Sequence, residues 1–350
     1  MKKIHVLIVD DSPLMQAWLK KILSADPEIG EIITAQNPYE ARISLQTKRP
    51  DVITLDVEMP GMDGISFLKE IMSTFPSPVV MVSAYTQENC QTTIRALSLG
   101  AVDFIPKPGP GLEEEKETFP QRLLSKVKDA AQARTVLPLS ATFPHPNHQG
   151  IEAGRRHFLK EQGSLIGIGA STGGTQALSF LLSRLPEEIP PIVIVQHMPP
   201  QFTGAFADHL DQVSLLTVKE ACSGDRLKRG MAQIIPGGKH GQIQKDQQGL
   251  FLSLNENPPV NHHRPSVDVL FQSLALIVRE KGIGILLTGM GEDGAHGLLA
   301  MRKQGASTLA QDESTSTIFG MPQAAIKLGA VQEVVPLEEM PARLIKIAGL

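Results

Sequence analysis

The run IGIGASTGGTQAL, residues 166–178, is an apolar, strand-like stretch that breaks at small residues and restarts with helical spacing; Ser171 stands at the break. Two chemistries use such a turn. Glycines let a phosphate approach a helix N-terminus, and a tight strand-to-helix turn presents a nucleophilic hydroxyl. As a dinucleotide fingerprint the segment is defective, because GIGAST has Thr172 where G-x-G-x-x-G needs its third glycine or alanine. The next apolar run, IVIVQH, ends in Gln196-His197 and not in an acid that would grip a ribose. As G-x-S-x-G, residues 169–173 match throughout.

A serine hydroxyl attacks only when a base takes its proton and an acid orients that base. His197 ends the strand after the Ser171 turn, and Asp293 follows a later strand in ILLTGMGEDG. Hydroxyl, imidazole and carboxylate are therefore expected at one sheet edge. The other histidines, His240, His262, His263 and His296, fall in loops or a helix, where a solvated imidazole is the ordinary expectation. Asp268 in HHRPSVDVLF starts a helix and suits a cap. An oxyanion hole needs backbone N–H groups aimed at the developing charge. Two amides qualify: Thr172, directly after the serine, and Met290, whose neighbours Gly289 and Gly291 permit close approach. The order Ser…His…Asp differs from the Ser…Asp…His of α/β-hydrolases, so a lipase-type enzyme is not supported.

A second group of chemical residues lies near the N-terminus. Asp10 and Asp11 follow the first apolar run, Asp56 the third, Ser83 the fourth and Lys107 the fifth. In parallel α/β sheets ligands sit outside the carboxyl ends of the strands. Clustered carboxylates repel one another, and a hard oxygen site suits Mg²⁺. A metal and a lysine beside Asp56 would neutralise charge on a phosphoryl group delivered to it.

These residues need sheets to bring them together. Residues 1 to about 130 alternate short Val- and Ile-rich runs (IHVLIVD, EIITA, DVITLD, PVVMVSA, DFIPK) with helically spaced stretches, and alternation resumes after residue 163. Strand–helix alternation implies parallel sheets with helices on both faces. The expected fold class is α/β: two doubly wound, mostly parallel domains, at 1–125 and 161–350, joined by a helix and flexible linker at 126–160. A helix over roughly 119–133 leads into RTVLPLSATFPHPNHQGIEAG, which has prolines and polar residues without periodicity. In the second half, MAQIIPGGKHGQI and GLFLSL suggest a hairpin excursion, followed by a long helix over 266–281.

Hydrophobic residues make up 41% of the 350 and charged residues 20%, which fits globular domains. The formal net charge of -4 and the absence of a basic helix-turn-helix stretch count against nucleic acid as a partner. No run reaches the length of a membrane span, and MKKIHVLIVDD is too short for a signal peptide's apolar region. Two distant cysteines, Cys90 and Cys222, suggest reduced thiols. A cytoplasmic protein without direct membrane insertion is expected. A nucleotide-binding output for the second half remains the alternative to an enzyme.

VDDS (9–12), LDVEMPGMDG (55–64), VSAYT (82–86) and PKP (106–108) together resemble the receiver domain of two-component response regulators, a flavodoxin-like fold. The resemblance implies that a histidine kinase phosphorylates Asp56. It implies that Asp11 and Asp56 bind Mg²⁺ with the backbone carbonyl of Glu58, Asp10 lying close by. It also implies that Ser83 senses the phosphoryl group, that Phe104 is the aromatic switch position and that Lys107 completes the switch. GASTGG, QHMPPQFTGAFADHL, PGGKH, RPSVDVLF and LLTGMGEDGAHGL resemble the catalytic domain of the chemotaxis protein-glutamate methylesterases, a Rossmann-like fold. By that resemblance the enzyme hydrolyses glutamate γ-methyl esters on the cytoplasmic domains of chemoreceptors, releasing methanol, and deamidates specific receptor glutamines. Its nucleophile, base and acid map onto Ser171, His197 and Asp293, and its oxyanion amide onto Met290. The phosphodonor implied is the chemotaxis histidine kinase, and the receiver is expected to block the active site until phosphorylated. No cofactor is implied for the esterase site. Lys239 and Tyr85 depart from the pattern, which bears on substrate or partner preference.

Overall fold

Apolar runs that lack a polar face become inner strands of parallel sheets, where both faces are covered by helices. The computed structural model follows this rule in both halves; it describes residues 3–84, 86–109, 113–133 and 164–350. Tyr85 and the linker sequence from 134 to 160 lie outside the described residues. The chain divides into two compact units, Met1–Pro138 and Leu139–Leu350.

The first unit runs β1 (Ile4–Val9), α1 (Pro13–Ser24), β2 (Ile29–Ala35), α2 (Pro38–Lys48), β3 (Val52–Asp56), α3 (Gly64–Thr74), β4 (Val79–Ser83), α4 (Gln87–Ser98), β5 (Asp103–Pro106) and α5 (Glu113–Gln132). Its sheet is parallel throughout, in the order β2-β1-β3-β4-β5. Helix starts follow local chemistry: the side chains of Ser12, Asn37, Asp63 and Thr86 each accept an N–H of the first turn of α1 to α4. Helix α5 corrects the expected boundary at 125. It runs on to Gln132, and Val127 and Ala130 are fully buried in the core of the first unit.

The second unit comprises β6 (Leu165–Ala170), α6 (Gly174–Leu182), β7 (Ile192–Gln196), α7 (Pro200–Val213), β8 (Thr217–Glu220), β9 (Met231–Ile234), β10 (His240–Asp246), β11 (Gly249–Asn255), α8 (Val267–Ile277), β12 (Gly282–Leu286), α9 (Ala295–Lys303), β13 (Ser307–Gln311), α10 (Met321–Lys327), β14 (Glu333–Val335) and α11 (Met340–Ile347). A seven-stranded parallel sheet has the order β14-β13-β12-β6-β7-β9-β8. The run MAQI, expected in the hairpin excursion, is instead β9, an inner strand between β7 and β8. Four residues carry too little periodicity to separate the two placements. Only β10 and β11 form the antiparallel hairpin. Helix α8 stops at Ile277, and a short 3₁₀ turn, Arg279–Lys281, replaces its expected last turn.

The glycines of β6 serve packing. A Cβ at Gly169 would lie 2.3 Å from Cγ1 of Val267, and one at Gly167 would lie 2.4 Å from Leu274. They let α8 sit directly on the sheet, its Val267, Phe271 and Leu274 fully buried. Among the described residues no helix is long and apolar enough to cross a membrane.

Candidate active site

The strand order makes β6 a switch point. The chain winds from β6 to β7 on one side and later returns to place β12 on the other. Crevices form outside the carboxyl ends of strands at such a point. Ser171 follows β6, His197 follows β7 and Asp293 lies in the loop after β12. Ala170 and Gln196 are register partners, and the N–H of His197 donates to Ala170 O, so Ser171 and His197 are the next residues on adjoining strands.

His197 and Asp293 are hydrogen-bonded, Nε2 to Oδ2 at 2.9 Å, with both side chains buried. An Nε2–H donated to the carboxylate leaves Nδ1 as the proton-accepting nitrogen. Nδ1 is buried and has no hydrogen-bond partner, so the Ser171 hydroxyl is not bonded to it here. Burial opposes ionisation of Asp293, yet hydrogen bonds from His197, Ser266 and Asn261 hold its carboxyl well below the usual carboxylate range. The N–H groups of Val267 (2.7 Å) and Asp268 (3.3 Å) also donate to it, at the first turn of α8.

The Ser171 turn is braced from three sides. Its N–H donates to Thr288 O at 3.0 Å, and its carbonyl accepts from Gly174 N and from Gln196 Nε2. The Thr288 hydroxyl also donates to Thr172 O at 3.0 Å. Gly173, at φ +77°, makes the turn that a side chain would resist. Helix α6 begins at Gly174, so Thr172 lies just before the helix. Gly289 lies against the serine, since a Cβ there would come within 2.7 Å of Ser171 Cβ. The N–H of Met290 has no hydrogen-bond partner among the described residues, and its side chain is exposed.

Two expectations need correction. Asp268 does not cap its own helix: Oδ1 accepts from Gly297 N in the first turn of α9 at 2.6 Å, and Oδ2 accepts from Asn261. His240 is not solvated. It is fully buried, its Nδ1 accepting from Ser266 N and its Nε2 donating to Pro258 O.

In the first unit the switch point lies between β1 and β3. Oxygens of Asp10, Asp11 and Asp56 gather there within 4.8 Å of one another. Lys107 Nζ reaches Asp56 Oδ2 at 2.6 Å and Asp10 Oδ2 at 3.0 Å. Burial pushes the Asp56 carboxyl up to about 6, against the pull of Lys107 and with help from the Asp10 charge. Three carboxylate oxygens gathered this closely are hard donors that fit a divalent cation. Ser83 is fully buried at the end of β4, its carbonyl accepting the Lys107 N–H at 2.7 Å, and Phe104 is buried in β5.

Two family models match the chain: the response regulator receiver domain over residues 6–114 and the CheB methylesterase over residues 166–344. The chain belongs to the CheB methylesterase family. It is 45% identical over 345 residues to a protein-glutamate methylesterase/protein-glutamine glutaminase of Pseudomonas aeruginosa, spanning 99% of this chain and 97% of the relative. A relative of the same description from Nitrosomonas europaea is also 45% identical, over 99% of this chain and 96% of its own. The crystal structure of the Thermotoga maritima CheB methylesterase catalytic domain is 39% identical, with a TM-score of 0.52, covering 53% of this chain and 98% of that one.

Residue reasoning missed four side chains that shape the methylesterase unit. Asn261, Ser266 and His263 come from the loop before α8, and Gln196 supports the serine turn from β7. Asn261 and Ser266 reach Asp293 from 32 and 27 residues away in sequence. Spacing alone carries no signal at that range.

Proposed function

We propose that this chain is a cytoplasmic, phosphorylation-regulated protein-glutamate methylesterase whose reaction is carried by Ser171, His197 and Asp293. The substrates are glutamate γ-methyl esters in the cytoplasmic domains of chemoreceptors, and specific receptor glutamines are deamidated at the same site. The single observation that supports this most is the His197–Asp293 bond at 2.9 Å, which leaves Nδ1 unpartnered on the residue that adjoins Ser171 across neighbouring strands.

In the first step His197 Nδ1 takes the Ser171 Oγ proton as Oγ attacks the ester carbonyl. The N–H groups of Met290 and Thr172 stabilise the oxyanion. Collapse breaks the bond to the methoxy oxygen, and His197 returns its proton so that methanol leaves. Water then attacks the acyl-enzyme by the same route and frees the glutamate; with glutamine the leaving group is ammonia. Asp293, ionised throughout, orients His197 and offsets its positive charge.

In the receiver, Asp56 accepts a phosphoryl group from the chemotaxis histidine kinase. Asp10, Asp11, Asp56 and the Glu58 carbonyl would hold Mg²⁺, which when bound neutralises charge on the phosphoryl oxygens. Lys107, already paired to Asp56 and Asp10, supplies a positive charge on the same side. Ser83 and Phe104 are the positions through which the receiver reads the phosphoryl group.

The test is methanol release from methylated receptor, together with mass-spectrometric location of a fluorophosphonate label on the full chain. Labelling at Ser171 is expected, and Ser171→Ala should lower turnover by about 10⁴-fold or more. Near-normal demethylation by that variant overturns the assignment.

A further inference from the structure

We infer that His263 is a positioning residue for His197, holding the plane of its imidazole by face-to-face stacking. The inference rests on the triad reading above. The two rings lie 3.7 Å apart between centroids and 7° apart in plane.

Asp293 fixes His197 at one atom, Nε2. A ring held at one atom and at its Cβ still tilts, and tilt moves Nδ1, the atom that must meet the serine proton. A flat neighbour against the face removes that freedom. Proton transfer tolerates little misplacement, so the contact acts on turnover.

The backbone around His263 is committed to this placement. Val260 and His263 pair across a two-residue turn, with Val260 N to His263 O at 3.1 Å and His263 N to Val260 O at 2.9 Å. Both central residues are left-handed, Asn261 at φ 52° and His262 at φ 66°. Asn accepts that region readily and His less so. Strained backbone persists where its surroundings over-determine it. Here Asn261 ties the turn to the site, its Nδ2 donating to Asp293 Oδ1 at 2.9 Å and to Asp268 Oδ2 at 2.8 Å. One turn thus grips the carboxylate through Asn261 and the imidazole through His263.

The experiment compares wild type, His263→Leu and His263→Phe in the full chain. It measures kcat and KM on a receptor-derived peptide carrying a glutamate γ-methyl ester, and the rate of fluorophosphonate labelling at Ser171. His263→Leu fills the space without a flat face and should lower kcat and labelling rate about 10- to 100-fold. Its KM should stay within about twofold. His263→Phe restores the face and should stay within about threefold of wild type in kcat. Retention of kcat by the Leu variant overturns the inference; so does an equal loss in both folded variants, or a change confined to KM. Should the Leu variant fail to fold, the Phe variant decides by keeping or losing turnover. A wild-type chain unlabelled at Ser171 sinks the triad reading instead, and labelling at Ser171 indifferent to position 263 sinks only this one.

Discussion

Five donors converge on the two oxygens of Asp293: His197 Nε2, Asn261 Nδ2, Ser266 Oγ and the N–H groups of Val267 and Asp268. A buried carboxylate so surrounded is committed to its charge. Asp293→Asn keeps the shape but offers His197 a mixed donor and acceptor, so kcat should fall about 10⁴-fold with the fold intact. Asp293→Ala should lower stability of this unit as well, by about 2–4 kcal/mol, because buried donors lose their acceptor. Denaturant unfolding of both variants beside kcat separates the two effects. The pH dependence has a definite sign. Asp293's folded-state carboxyl titrates below its unfolded value, so its stabilisation is complete above about pH 4. It is lost as pH falls further through the folded value. The stability gap between wild type and Asp293→Asn should therefore stay level from about pH 5 to 8 and narrow below about pH 4. Unfolding midpoints across that range check this.

At the scale of elements, the site depends on how closely α8 and the loop after β12 approach β6. Gly169 lets the start of α8, which holds Asp293, rest on the strand that presents Ser171. Gly289 does the same for the loop bearing Met290. A Cβ at Gly289 would lie 2.4 Å from Met321 Sδ and 2.7 Å from Ser171 Cβ. The methionine can move, whereas the serine turn is held by Thr288 and Gln196. Gly289→Ala should therefore cost turnover, about 10- to 100-fold, more than it costs stability. Steady-state kinetics with a thermal melt of the same sample tests this; a melt that collapses with little change in kcat argues for a packing role alone.

Over the whole molecule, each unit has its own buried core and its own switch-point crevice. In the regulation proposed above, phosphorylation would shift the population between blocked and open active sites. A fragment of residues 150–350 should fold alone and show higher basal methylesterase activity than the unphosphorylated full chain. Phosphorylation of the full chain should close most of that difference. Equal or lower activity in the fragment argues against steric inhibition by the receiver.

Much of this was legible in the residues because it is local. Val- and Ile-rich runs have one stable use, inner parallel strands, and they end at or just before the polar residues proposed to carry the chemistry: Asp10, Asp56, Ser171 and His197. Strand alternation therefore predicts both units. The run MAQI was ambiguous because four residues do not fix a partner, and only the sheet order seats it between β7 and β8. The helix end near residue 133 was legible, whereas the domain limit at 125 fell short because burial of Val127 and Ala130 in the first unit's core comes from packing, which no local signal reports. The surroundings of Asp293 were wholly tertiary. Asn261, Ser266 and His263 reach the site through a turn whose left-handed residues are held by contacts distant in sequence. Periodicity carries information about neighbours along the chain; hydrogen-bond donors drawn from separate loops meet only once the sheet has closed the distance between them.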